Sequence, residues 1–400
     1  MMLTPAVGTV GTRRSLLRSP VGPAGLVLVL YAVWLFLLLP VSHDARDFIH
    51  EGRKYIEHGH GSALIVVDSY VVQHGSVGGY DGQYCYYIAL DPLHAASYLD
   101  VPAYRYTRIL YPMLARLLAL GQTQAIPFAM VGINLAAMVL GTLAVAAWLA
   151  RKKRSVWYSL IYGLYPGLML GVLLDLTEPL CYALVACGAY LFEYGGRNRL
   201  WWSAAAFSLA ALSRETSLVF PLLYAAGLVC GWGAEGTRPT RLRAAGLFAA
   251  IAAGPFLVYK AFLAIALGSA GLRSDLVELR PFGGILASYP WQAAQVGVIL
   301  CVFLPGIICG CAGLLALRGT LLKPDVWVLL ANVLLFVVLL APSSAQHYVD
   351  AGRISAGVVL AALYCIPASD GALLRSKAWL WLSAACWLVL PFVGSFWQVP

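Results

Sequence analysis

The sequence is poor in charge. Only 11% of its 400 residues are charged while 61% are hydrophobic, and the apolar residues form long runs with neither strand alternation nor heptads. That excludes an ordinary soluble domain. A disulfide framework is missing too: eight of the nine cysteines lie in or beside apolar runs, where Cys acts as a small hydrophobe, and Cys85 alone falls in a polar loop. No internal repeat, low-complexity linker or long soluble tail divides the chain, so residues 1–400 read as one domain. "TRRSLLR" at 12–18 resembles a twin-arginine export signal, but no small-residue cleavage site follows it. Arg13 and Arg14 are therefore orientation charges.

What the sequence has in quantity is membrane-spanning material. A bilayer crossing takes about 20 apolar residues, and candidate segments fall at 24–41, 124–150, 156–174, 179–194, 200–212, 216–232, 244–267, 292–317, 325–341, 354–368 and 378–398. The expected fold is all-α: a polytopic transmembrane bundle of about eleven spans with a long first extracytoplasmic loop carrying interfacial helices. Positive loops stay in the cytoplasm. Arg13, Arg14 and Arg18, the "RKKR" run from Arg151 to Arg154, Arg197 with Arg199, and Arg238, Arg241 and Arg243 then lie inside, with the C-terminus outside. The net charge of +9 is accounted for by this bias, which leaves no reason to invoke nucleic acid.

The acids are distributed differently. With this orientation 14 of the 18 aspartates and glutamates fall on the outer side, and since acids contribute little to orientation, their crowding points to a polar site there. Residues 42–123 form the largest outer loop. Within it "DFIHEGRKYIEHG" (47–59) reads as an amphipathic surface helix, the glycines of "GSVGGYDG" as turns, and "YRYTRILYPMLARLLALG" (104–121) as a second interfacial helix.

Several residues could carry chemistry. Asp81 sits on a turn between Gly79 and Gly82 with Tyr80, Tyr84, Tyr86 and Tyr87 around it, which suits a carboxylate meeting a bulky polar ligand. The alternative is that Asp81 only caps the following helix. Arg105 and Arg108 share one helical face and suit a phosphodiester or diphosphate, or equally a lipid headgroup. Glu178, one turn after Asp175, lies at the outer mouth of two spans. Arg214 and Glu215 lie at the tip of a hairpin, where ionisable residues are functional by default and ion pairs are the rival. His347, Asp350 and Arg353 recur at about one helical turn. His347 has no second histidine at ligand spacing, so no metal site is expected, although a divalent cation beside a phosphate is left open. Lys260 snorkels.

In order and spacing, "YDGQYCYYIA", "RILYPML", "LTEPL" and "ALSRETSL" resemble the GT-C superfamily of polytopic glycosyltransferases over residues 24–230, most closely a mannosyltransferase branch. Tyr80 stands where that branch has tryptophan, and "RILYP" where it has "FFPLYP". The resemblance implies a polyprenyl-phosphate sugar donor, a glycan, lipid or protein acceptor, and inverting hexosyl transfer outside an inner membrane of bacterial type. It also implies an acidic residue of the first outer loop as base: Asp81, with Asp47 and Asp44 as alternatives. Arg105, Arg108, Arg214 and Arg353 are then candidates for the donor phosphate. Tyr80, Gln83, Tyr84, Glu178, Glu215 and His347 are candidates for the substrate. The rival class is a transporter or flippase, which should show related halves and midplane charges.

A reporter fused after Gly75 is expected to read as extracytoplasmic. A cytoplasmic signal would overturn the orientation.

Overall fold

The computed structural model describes residues 19–42, 44–232, 237–271, 278–320, 323–366 and 377–393. Arg13, Arg14, Arg18 and most of the expected "DGALLRSK" turn lie outside these. Among the described residues the chain is helical, with one isolated bridge between Gly52 and Ser76.

All eleven apolar segments contain helix. The first is α1 (Val21–Ser42). The 42–123 segment then contributes α2 (Gly82–Leu90) and α3 (Leu110–Leu118), and α4 (Ile126–Arg151) follows. Next come α5 (Leu160–Gly163), α6 (Pro166–Leu173), α7 (Glu178–Tyr194) and α8 (Arg199–Ser213). The second half holds α9 (Val219–Val229), α10 (Arg238–Ala266), α11 (Leu304–Thr320), α12 (Pro324–Val333), α13 (Tyr348–Ile354), α14 (Ala356–Cys365) and α15 (Ala378–Leu388). By length and composition five helices can cross a membrane, or six if the bent pair Val156–Gly163 and Pro166–Leu173 is one span. The segments at 215–229, 324–338 and 378–392 are apolar but shorter.

Proline marks many of these starts. It occupies the first turn of α4, α6, α7, α10 and α12, where its missing N–H costs nothing. Between α5 and α6, Pro166 cannot continue the preceding helix, and the axis bends by 50°. The bend seats α13: a Cβ on Gly167 would lie 2.5 Å from the Gly352 carbonyl oxygen, and the Tyr165 hydroxyl donates to that oxygen at 2.8 Å.

Two apolar cores result. One runs through the bundle around Trp148, Tyr162, Leu168, Val185 and Tyr364. The other belongs to the 42–123 segment, where Ile49, Tyr87, Ile88, Tyr98 and Tyr111 pack with Ile126 and Met130 of α4 and Leu263 of α10. The loop is thus a cap with its own interior, seated on the ends of two long helices.

Inside the cap both expected interfacial helices are broken. Residues 47–59 form a 3-10 turn (Ala45–Phe48) and a short helix (Arg53–His58), parted at Gly52, whose N–H donates to Gln83 Oε1 at 2.9 Å. Residues 104–121 split into short turns before α3. Pro112 in the first turn of α3 cannot donate to the Arg108 carbonyl, so an uninterrupted helix is unavailable there.

Among the described residues a close backbone contact joins cap to bundle. A Cβ on Gly82 would lie 2.2 Å from the Leu174 carbonyl oxygen and 3.3 Å from that of Ile49. Backbone cannot retreat as a flexible side chain does. Gly82→Ala is therefore expected to destabilise by about 1–3 kcal/mol through overpacking, read as a lower thermal midpoint, while Gly78→Ala, with nothing within 4 Å, stays within error of wild type.

Candidate functional site

The Gly82 contact sets the start of α2 against the 174–178 turn that opens α7. A cleft lies at this junction. It is tight, with free space of about 10 Å³, and is lined by Asp81, Arg105, Arg108, Glu178, Arg214 and Arg353 together with Tyr84, Cys85, Leu176 and Thr177. Four arginines and two carboxylates line it, and three further carboxylates, Asp100, Glu215 and Asp350, hold these arginines from outside the lining. The charged residues come from the cap, from the start of α7, from the α8–α9 connection and from α13, and so from both halves of the sequence.

Each guanidinium is held by a carboxylate. Asp81 joins two of them, Oδ1 lying 3.0 Å from Arg105 Nη1 and Oδ2 accepting from Arg353 Nη2 at 2.7 Å. Arg105 is also held bidentately by Asp100, at 2.7 Å on Nε and 2.7 Å on Nη2, and lies 4.1 Å above the Tyr84 ring. Glu178 joins two more contacts, with Oε1 at 2.8 Å from Arg214 Nη1 and 3.4 Å from Arg353 Nη1. Arg108 pairs with Glu215 at 2.8 Å and 3.2 Å and donates to the Tyr104 hydroxyl. Asp350, one turn before Arg353, accepts from Arg353 at 2.9 Å and from the Tyr80 hydroxyl at 2.7 Å.

Burial differs sharply between the two shared acids. The Glu178 side chain is fully buried, whereas that of Asp81 is 24% exposed. Buried polar atoms are normally all paired, yet Glu178 Oε2, Thr177 Oγ1, Arg214 Nε and Arg353 Nε find no hydrogen-bond partner. All four residues line the cleft, so the site holds unused donor and acceptor capacity. Burial alone would raise the Asp81 carboxyl, but the guanidiniums of Arg105, Arg353 and Arg108 outweigh it and hold it well below the usual carboxylate range.

A polar layer backs the cleft. Asp175 is fully buried in a left-handed conformation (φ 48°), which Asp tolerates better than most residues. Its Oδ1 lies 3.3 Å from the Tyr111 hydroxyl, which also accepts from Asn134 Nδ2 at 2.8 Å. This layer fixes the turn that carries Thr177 and Glu178.

The structure gathers most of the residues singled out in the sequence. Asp81, Arg105, Arg108, Glu178, Arg214, Arg353 and Tyr84 line the cleft; Glu215 and Tyr80 hold its walls. Others serve elsewhere. The capping alternative for Asp81 is not realised, because its side chain makes no cap hydrogen bond. Gln83 is completely buried, its amide accepting from Gly52 and donating to the Gly78 carbonyl at 3.0 Å. His347 is the residue preceding α13 and does not line the cleft.

Asp44 and Asp47 belong to a second polar cluster. Asp44 caps the turn at Ala45–Phe48, and Asp47 accepts from the Tyr70 hydroxyl. Arg46 pairs there with Glu51 and Asp68, each at 2.6 Å. Burial pushes the Glu51 carboxyl up to about 7 against the opposing pull of Arg46. Residues that sequence reasoning passed over are Asp100, Thr177 and Tyr104. Asp100 stands five positions before Arg105, a spacing with no helical signature, and Thr177 is one small polar residue beside a prominent Glu178. Among the described residues no cluster of three or more His, Cys, Asp or Glu side chains could hold a metal ion.

Compared with known protein families, curated proteins and solved structures, the chain matches none.

Removing one partner of a buried ion pair leaves an uncompensated charge. Arg214→Gln is expected to cost about 3–5 kcal/mol, since Glu178 would keep only the 3.4 Å contact to Arg353. Glu178→Gln combined with Arg214→Gln should recover part of that loss, measured by chemical denaturation in lipid or detergent.

Proposed function

We propose that the chain is a membrane glycosyltransferase of GT-C type, moving a hexose from a polyprenyl-phosphate donor to an acceptor hydroxyl on the extracytoplasmic side. One observation carries the reading: four arginines and two carboxylates, distant in sequence, meet in one cleft between the cap and the bundle. The long apolar helices support a lipid-bound substrate. Eleven crossings with the N-terminus inside, and a mannosyltransferase-like donor preference, belong to the same proposal.

The chemistry divides among named groups. The guanidiniums of Arg105 and Arg353, with Arg108 and Arg214 behind them, take the donor phosphate, because planar forks match phosphate oxygens. Tyr84 offers an aromatic face beside them. The acceptor oxygen forms a bond to the sugar's anomeric carbon as the bond from that carbon to the phosphate oxygen breaks. The electron pair leaves on the phosphate, where the arginines stabilise it, so the leaving group needs no proton. The acceptor's proton passes to Asp81, the general base. Glu178, fully buried and anchored through one oxygen to Arg214 and Arg353, positions those guanidiniums.

The test is release of polyprenyl phosphate by the purified protein in lipid across a panel of polyprenyl-phosphate sugars. Asp81→Asn should lower turnover by about 10²–10⁴, and Arg353→Lys should raise the donor concentration needed, because an ammonium lacks the fork. No release with any donor, or wild-type turnover in Asp81→Asn, removes this assignment.

A further inference from the structure

The base assigned above is held by the groups assigned to the phosphate. Asp81 presents two oxygens to two guanidiniums, at 3.0 Å to Arg105 and 2.7 Å to Arg353, which is also how two oxygens of a phosphoryl group would bridge them. The contacts of the three residues are unequal. Arg105 is fixed from its other edge by both oxygens of Asp100, and Arg353 is fixed by Asp350 at 2.9 Å. Neither arginine depends on Asp81 for its position.

Asp81 has few other ties. Its side chain makes no capping bond to α2, it is more exposed than the fully buried Glu178, and Gly79 and Gly82 flank its turn. The Nε of Arg353 also has no hydrogen-bond partner.

We propose that Asp81 and a phosphoryl anion compete for the same two guanidiniums, so that phosphate binding displaces the Asp81 carboxylate and thereby frees it to accept a proton. The chemistry recognised is a phosphomonoester or phosphodiester dianion or monoanion, whether on a lipid headgroup or free in solution. While it grips two guanidiniums Asp81 is a poor proton acceptor, since both its oxygens already serve cations. Once phosphate takes the guanidiniums, the carboxylate stands beside a newly arrived negative charge and its affinity for a proton rises. The base becomes competent only when the donor is seated. This rests on the transferase reading for its catalytic consequence, though the competition stands on geometry alone.

The experiment measures anion affinity rather than turnover. Inorganic phosphate is titrated onto the full chain in discs of phosphatidylcholine, and in a second arm polyprenyl phosphate is titrated into the same discs. Asp81→Asn should bind at least about tenfold more tightly in one or both arms, because an amide cannot compete for a guanidinium as a carboxylate does. Tightening confined to the lipid arm assigns the seat to a headgroup. Tightening in both assigns it to the phosphoryl group itself. Asp81→Asn with Arg105→Gln should lose the gain. Where Asp81→Asn fails to fold, Asp81→Ser carries the same comparison. Equal or weaker affinity in both arms overturns the proposal, as does a gain that survives Arg105→Gln.

Wild-type release of polyprenyl phosphate separates this from the function. A tighter Asp81→Asn with no sugar transfer by wild type leaves the competition standing and removes the transferase reading. Sugar transfer with unchanged anion affinity in Asp81→Asn does the reverse.

Discussion

Four guanidiniums around one cleft repel each other, and the shared carboxylates of Asp81 and Glu178 make their convergence tolerable. Charges buried in a medium of low effective dielectric interact several-fold more strongly than in water, so neither arginine repulsion nor arginine pairing is a small term here. Asp81 ties the cap to α13 through Arg353, and Glu178 ties α7 to the α8–α9 connection through Arg214 and to α13 through the same Arg353. Arg108 and Glu215 add a third tie between cap and hairpin. The relative placement of cap, first bundle half and C-terminal helices follows from a few charge-assisted contacts.

Those contacts hold only because backbone comes close enough to let them form. Gly82 against Leu174 and Gly167 against Gly352 are approaches that a single methyl group would block. The first brings the turn bearing Asp81 to the turn bearing Glu178. The second brings α13, with Asp350 and Arg353, under the bend between α5 and α6. Glycine at these two points acts through the absence of a side chain, and proline at the bend acts through the absence of an N–H. The polar site thus rests on small apolar residues that have no chemistry of their own.

A network made of ion pairs also links stability with ligand binding. Groups paired among themselves are stable, yet the same groups are the ones an anion would recruit, and the unsatisfied atoms of Glu178, Thr177, Arg214 and Arg353 show that the internal pairing is incomplete. Sites that violate polar satisfaction are where function is expected to reside. The second cluster, around Arg46, differs in kind. Its acids are engaged with Arg46, Tyr70 and the backbone, and none of them lines the cleft, which suits a strut of the cap.

The sequence by itself determined the helical, membrane-type character of the chain, because in lipid only helices and closed barrels satisfy the backbone, and long runs without alternation do not suit barrel strands. It also exposed most of the cleft, because Asp81, Glu178, Arg214 and Arg353 are conspicuous among so few charges. Periodicity could not foresee that 47–59 and 104–121 break, since Gly52 is held by Gln83 and Pro112 interrupts the backbone ladder. The sequence placed Asp81 first for its glycine-flanked turn and tyrosine surround, and kept Asp47 and Asp44 as alternatives, because a linear pattern does not say which loop carboxylate meets the arginines. Only the tertiary structure decided that Asp81 faces the arginines while Asp47 answers to Tyr70, that Gln83 is a buried fastener, and that Asp100 stands behind Arg105. Those assignments depend on contacts between residues up to 272 positions apart, and such contacts are set by how helices pack, which no local pattern encodes.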